Sequence, residues 1–399
     1  MGEAERRGGA GEVFAAFLRL GLTSFGGPIA HLGYFREEFV GRRRWLDERA
    51  YVDLVALCQF LPGPASSQVA LAIGLDRARL LGAFVAWAGF TLPSAIAMTL
   101  FAYGASAAGA SLGAGWLHGV KAVAVAVVAL ATLNMARTLA PDRARATLAV
   151  VAAAIALAAP PEWGQIAAMA LGAVTGLALP RDADSFGEAS TPLRVDRRLG
   201  AFALVLFFVL LVALPLAARA SQSHAIALID AFYRVGALVF GGGHVVLPLL
   251  QAAVTPPGWI GNDLFLAGYG AAQAVPGPLF SFAAYLGAAM TPPPNGVVGA
   301  ALCLVAIYLP SFLLIVGVMP FWSRLRAAPG ARAALRGVNA SVVGLLIAAL
   351  YRPVWTAGVV NAGDFCIAVA AFLLLFSWRA PPWLVVMLGA LAGAALGAA

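Results

Sequence analysis

The amino-acid sequence predicts an all-α polytopic membrane protein built from two inverted-topology repeats with broken or re-entrant helices. Three observations lead there. First, 62% of the residues are hydrophobic and 11% charged, and many runs of about 17 or more residues carry little charge, the length a bilayer-spanning helix needs. A soluble chain of this length needs more polar surface, and the short alternating segments of a β-barrel are absent. Second, the chain repeats itself. Third, its basic residues gather on one side once the repeats are laid across a bilayer.

The repeat is read from four blocks. "FLRLGLTSFGGP" (17–28) lines up with "FYRVGALVFGGG" (232–243), and "CQFLPGPASS" (58–67) with "AQAVPGPLFS" (272–281). "TLPSAI" (91–96) meets "YLPSFL" (308–313), and "LHGVKA" (117–122) meets "LRGVNA" (335–340). The offset stays between 214 and 218 over all four, an order and spacing that chance similarity of apolar segments does not keep. The expected organisation is a first repeat over 1–180, a polar cytoplasmic linker over 181–198, an extra transmembrane helix within 199–225 and a second repeat over 226–399.

In chain order, "MGEAERRGGAGEVF" has no small-residue cleavage site and reads as a retained terminus. Next, "SFGGPIAH" (24–31) interrupts an apolar helical run with residues that loosen or remove helix hydrogen bonds. If every apolar segment crossed, the basic stretches around 36–49 and at Arg77 and Arg79 would face opposite sides, against the positive-inside rule. Re-entrant hairpins resolve this: 12–40 turning at the glycines and 49–75 turning at Pro-Gly-Pro, each arm reaching roughly 20 Å into a ~30 Å core. Single crossings then follow at 80–104, 115–137, 146–160, 163–180 and 199–219. The second half repeats the plan, with hairpins at 226–255 and 262–290 and crossings at 296–322, 335–352, 357–377 and 382–398. Of 26 Lys and Arg, 21 then lie on the side of the N-terminus and two, Arg219 and Arg352, on the other. Five crossings separate equivalent points, and an odd number inverts the halves. Thirteen full spans also invert them but fit the arginines less well. Inverted repeats with broken helices are the architecture of many secondary transporters.

A half-helix starting inside the membrane points unpaired N–H groups and its positive dipole end inward, which suits an anion. Phe25, Gly26, Gly27 and Pro28 form the first such break, and Phe240, Gly241, Gly242, Gly243 and His244 its counterpart. Pro62, Gly63 and Pro64, with the donors Ser66 and Ser67, form another, matched by Pro276, Gly277, Pro278 and Ser281. Gln59 and Gln273 align just before these breaks and can bond the freed carbonyls or the ligand. Glycines that only permit close helix packing are the plainer alternative. Arg19 and Arg234 occupy equivalent positions inside the membrane and can hold a tetrahedral dianion; snorkelling, or pairing of Arg234 with Asp230 four residues earlier, are the structural alternatives. Lys121 either joins them or snorkels. His31 and His244 flank the breaks without aligning, and such a histidine is more often structural. Glu37, Glu38, Asp47 and Glu48 are expected to pair at the surface with neighbouring arginines.

Cys58, Cys303 and Cys366 lie singly in apolar segments and read as small buried hydrophobes, with no metal cluster and no disulfide framework. There is no P-loop, no catalytic serine–histidine spacing and no cofactor motif, so no enzyme is indicated. The net charge of +8 is spread between spans, which speaks against nucleic-acid binding.

"FLRLGLTSFGGPIAHLGYFREEFV" followed by "QFLPGPASSQVALAIG" resembles the chromate ion transporter family in its long, two-domain form, over about 12–140 and 229–350. The resemblance implies a multi-pass protein of the bacterial inner membrane that exports chromate and confers chromate resistance, and the positive-inside count places its N-terminus in the cytoplasm. The implied partners are chromate or a similar oxyanion such as sulfate, and the lipid bilayer; a homodimer is compatible with this plan. Gly243 stands where the first half has Pro28, which loosens the second break. A sulfate or other small-anion transporter is the nearest alternative. A membrane-embedded lipid-processing enzyme is a more distant one, since the aligned positions offer Arg and Gln rather than a carboxylate.

The topology has a direct test. In a variant lacking the native cysteines, single cysteines at Gly41 and Pro257 are expected to react with impermeant reagents from opposite sides of the membrane. Labelling of both from one side contradicts the inversion.

Overall fold

The computed structural model describes residues 8–108, 115–159, 161–178, 195–240 and 245–397, and among them all regular structure is helical. The first half holds α1 (Ala10–Thr23), α2 (Gly27–Arg36), α3 (Glu48–Phe60), α4 (Ala65–Ala108), α5 (Gly115–Leu139), α6 (Arg143–Ala158) and α7 (Pro161–Ala178). Helix α8 (Arg197–Ala220) follows. The second half holds α9 (His224–Leu238), α10 (Val246–Val254), α11 (Asn262–Ala274), α12 (Phe282–Ala289), α13 (Gly296–Val318), α14 (Trp322–Ala327), α15 (Pro329–Ala349), α16 (Thr356–Gly358), α17 (Ala362–Phe376) and α18 (Pro382–Gly397).

The breaks fall where the sequence places them. Helix α1 stops at Thr23, and Gly26, left-handed at φ 100°, starts α2 with Pro28 in its first turn. There the missing proline N–H costs no helix bond. Both broken segments of the first half begin and end together. Glu12, in the first turn of α1, pairs with Arg43 (3.2 Å) and with Arg77 (3.5 Å). The Trp45 ring lies under both guanidiniums, at 5.2 and 4.6 Å. At Ala78 and Arg79 the backbone leaves helical geometry, so α4 is two arms meeting at a corner. In the second half the His224 ring stacks edge-on against Trp259 (4.8 Å), whose carbonyl accepts the Thr291 N–H (3.0 Å). The long arm of α4 carries Tyr103 up against Gly296 at the head of α13, and beyond the far end of α13 the Trp322 indole donates to Asp53 of α3 (3.2 Å).

Small residues let these elements close on one another. Gly21 of α1 sits on the backbone carbonyls of Gly89 and Phe90 in α4, and its repeat partner Gly236 of α9 sits on the Ile307 carbonyl of α13. Phe17, Phe35, Phe39 and Phe90 fill the space between α1, α2 and α4. Helices α5, α15 and α18 build the flanking layer with α6, α7 and α17. Helix α8 lies at the periphery, with Phe202, Val205, Phe208, Val212 and Leu216 facing outward.

Among the described residues, five helices are long and apolar enough to cross a membrane: Ala65–Gly104, Gly115–Leu139, Arg197–Ala220, Gly296–Leu325 and Pro329–Gly358. The sequence predicts nine single crossings. The other four, α6, α7, α17 and α18, have 16, 18, 15 and 16 residues, or about 22–27 Å. They come as two pairs, α6 with α7 and α17 with α18, in which short connections stop each helix early.

Three local expectations are corrected. Glu38 is buried, not at the surface, and accepts from Arg42 and Arg43 at 2.6 Å each. Asp47 caps α3 through the Ala50 N–H (2.8 Å) instead of pairing with an arginine, although Glu48 does pair with Arg36 (2.7 Å). Cys58 and Cys303 are buried, but Cys366 is exposed because it lies on the outward face of α17.

Candidate functional site

The two halves meet at their breaks. Leaving α3, the chain passes through Leu61 and Pro62 to Gly63, left-handed at φ 125°, before α4 begins. The Gly63 N–H donates to the carbonyl of Val239, where α9 ends (2.6 Å). The Gly277 N–H, at φ 101°, donates to the carbonyl of Ser24, where α1 ends (2.9 Å). Gly63 and Gly277 are repeat partners, and so are Val239 and Ser24, so the two bonds form a crossed pair. Each glycine is also pinned by the serine of a Leu-Pro-Ser block from the other half. A Cβ on Gly63 would meet the Ser311 hydroxyl at 2.6 Å, and one on Gly277 the Ser94 hydroxyl at 2.9 Å.

Around this crossing lies a buried polar cluster. Ser24, His31, Ser66, Ser67, Gln68, Thr91, Ser94 and Ser311 are each at most 2% exposed. His31 Nδ1 faces the Ser66 hydroxyl (3.4 Å), and the Ser67 hydroxyl faces that of Tyr308 (3.4 Å). The Gln68 amide donates to the Pro62 carbonyl (2.6 Å) and reaches the Ser311 hydroxyl (3.5 Å). The Ser94 hydroxyl donates to the Thr91 carbonyl (2.9 Å). The Ser24 hydroxyl and His31 Nε2 are buried without a hydrogen-bond partner among the described residues. Polar atoms left so cost free energy in an apolar interior unless a water, an ion or a ligand bonds them. The first turn of α4, at Ala65, Ser66 and Ser67, adds backbone N–H groups with no intrahelical acceptor.

The predicted residues divide into three groups. Pro62, Gly63, Pro64, Ser66, Ser67, Pro276, Gly277, Pro278 and Ser281 lie at or beside the crossing, although Ser281 sits in a short 3-10 turn (Leu279–Ser281) ahead of α12. Phe25 and Phe240 are half-buried next to it, while Gly26, Gly27 and Pro28 shape the first turn. Gly241, Gly242, Gly243 and His244 lie outside the described residues. The aligned glutamines differ: Gln59 is exposed, whereas Gln273 has a buried, unpartnered Nε2.

The three membrane-embedded cations have different surroundings. Arg19 is exposed and pairs with no described carboxylate. Arg234 pairs with Asp230, as their spacing of four allows. Lys121 is buried and bonds Asp263 in the first turn of α11 (2.9 Å), which carries its charge to the base of the fourth broken segment. Sequence reasoning treats His31 as structural and passes over Ser24, Gln68, Ser94, Tyr308 and Ser311. The repeated Leu-Pro-Ser blocks are the signal that could have found two of these.

A helical membrane protein whose two repeats join at helix ends broken within its interior is organised as a transporter. The family model of the chromate transporters matches residues 11–177 and 226–394, and the chain belongs to that family. It is 29% identical to the chromate transport protein of Pseudomonas aeruginosa over 84% of this chain and 79% of that protein. It is 26% identical to the probable chromate transport protein of Synechococcus elongatus over 94% and 93%, and 26% identical to the chromate transport protein of Cupriavidus metallidurans over 84% and 80%. No solved structure matches the chain.

Because both crossing glycines combine a left-handed backbone with serine contact, Gly63→Ala and Gly277→Ala are each expected to cost about 1–3 kcal/mol or more. Thermal unfolding in detergent measures this. Wild-type melting of both variants contradicts the crossing.

Proposed function

We propose that this protein carries chromate outward across the bacterial inner membrane and so confers chromate resistance. The single observation carrying this reading is the crossed meeting of broken helices, lined by buried polar atoms without partners. The names of the relatives support chromate as the substrate. The halves are inverted about the bilayer midplane with the N-terminus cytoplasmic. In support, the bases of the first two broken segments gather at the Arg77 end of α4, and Gly296, just beyond the fourth, meets its Tyr103 end.

The dianion sits at the breaks, where half-helix N-termini face it, with Arg19 and Arg234 drawing it in along equivalent paths. The halves rock or gate about the crossing. Each chromate leaving a cell with a negative interior is favoured by about 4.6 kcal/mol per 100 mV, so export needs no coupled cation.

Chromate flux into proteoliposomes tests this, with sulfate as competitor. Arg19→Gln is expected to lower flux about tenfold, as for a lost charged hydrogen bond, with unchanged stability. Arg234→Gln is expected to lower flux and also stability, because Asp230 is left buried and unpaired. Undiminished flux in both variants contradicts the role given to the arginines.

A further inference from the structure

The two breaks that repeat each other in sequence differ in chemistry. In the first half the crossing is lined by Ser24, His31, Ser66 and Gln68, all at most 2% exposed. At the matching offsets the second half has Val239, Val246, Phe280 and Phe282, all at most 1% exposed. The Phe280 ring packs on Tyr308 (5.7 Å) and the Phe282 ring on Phe265 (5.2 Å), so aromatic side chains occupy two of these second-half positions. The helices differ too. Helix α4 opens directly at Ala65 into an arm that runs to its corner at Ala78, whereas α12 is preceded by a three-residue 3-10 turn and has eight residues.

A tetrahedral oxyanion dianion has four acceptor oxygens and no hydrogen to give, so it selects for donors. The first-half break supplies them. The N–H groups of Ala65, Ser66 and Ser67 open α4. The His31 ring lies against that turn, its Nδ1 3.4 Å from the Ser66 hydroxyl, and its Nε2 is buried without a partner. When the Ser66 hydroxyl donates to Nδ1, a neutral imidazole carries its proton on Nε2 and is a donor there. The Ser24 hydroxyl is a further buried donor without a partner among the described residues.

Resting on the transport reading above, we infer that the two pseudo-equivalent breaks have diverged: the oxyanion is bound at the first-half break alone, by the start of α4 with His31 Nε2 and the Ser24 hydroxyl. Among the described residues, Val239, Val246, Phe280 and Phe282 of the second half, beside Ser281 and Gln273, form the mainly apolar side against which that site is shaped. One chain then holds one ion at a time despite its twofold repeat. His31 and Ser24 are specificity-determining groups, because an analogue lacking the oxygens they face leaves them buried and unsatisfied.

The test uses the full-length protein in proteoliposomes, with chromate and sulfate counterflow measured separately for wild type, Ser24→Ala, His31→Leu, His31→Asn and Phe280→Leu. Thermal unfolding in detergent is followed with and without each anion. Ser24→Ala and His31→Leu are expected to raise the half-saturating concentration about tenfold, the loss of one hydrogen bond to a charged group. They also lose the anion-induced stabilisation. His31→Asn keeps a donor and recovers part of both, and Phe280→Leu stays within about twofold of wild type, having lost no donor. Should His31→Leu fail to fold, Ser24→Ala and His31→Asn decide. Wild-type half-saturation and anion-induced stabilisation in Ser24→Ala together with either His31 variant overturn this inference while leaving transport intact. A wild-type protein that moves neither anion overturns both the inference and the function on which it rests.

Discussion

A helix that stops inside a bilayer leaves backbone groups with no water to take them. Here four broken segments stop in the interior, and the crossed hydrogen bonds from Gly63 to Val239 and from Gly277 to Ser24 settle part of that debt between the halves. Neither half can do this alone, since each supplies the donor for the other's carbonyl. The left-handed glycines follow from the same constraint, because only a residue without Cβ turns the chain there while Ser311 or Ser94 lies so close. The proline after each glycine lacks the N–H that the next helix would otherwise leave unbonded.

Much of this was legible in the sequence because it rests on residue types with few uses. Paired Gly-Gly and Pro-Gly-Pro interruptions favour breaks in a helix, and their order at a nearly constant offset marks a repeat. Helix positions followed from apolar runs, but the shortness of α6, α7, α17 and α18 did not, because composition does not mark where short connections end a helix early. The meeting of Gly63 with Val239 was not legible, since it joins backbone atoms far apart in the chain. Nor was the fate of Lys121, whose partner Asp263 lies in the other half. Arg234 and Asp230 were readable as a pair from spacing alone, whereas the exposure of Gln59 against the buried amide of Gln273 depends on packing that a one-dimensional repeat conceals.

The contrast between the two breaks bears on how duplicated transporters acquire a site. The crossing itself needs both halves to stay alike, and the glycines, prolines and Leu-Pro-Ser serines have done so. Side chains one turn away are free of that demand. At the four compared positions polar groups stand on the first-half side and valine or phenylalanine on the other, so structural symmetry and chemical asymmetry coexist within a few residues.

Electron cryo-microscopy of the protein in lipid nanodiscs, at a resolution that separates backbone carbonyls, tests the crossing most directly. The account predicts Gly63 against the Val239 carbonyl and Gly277 against the Ser24 carbonyl, both near the centre of the lipid belt. Breaks that do not touch across the halves, or that meet at a membrane face, would contradict it.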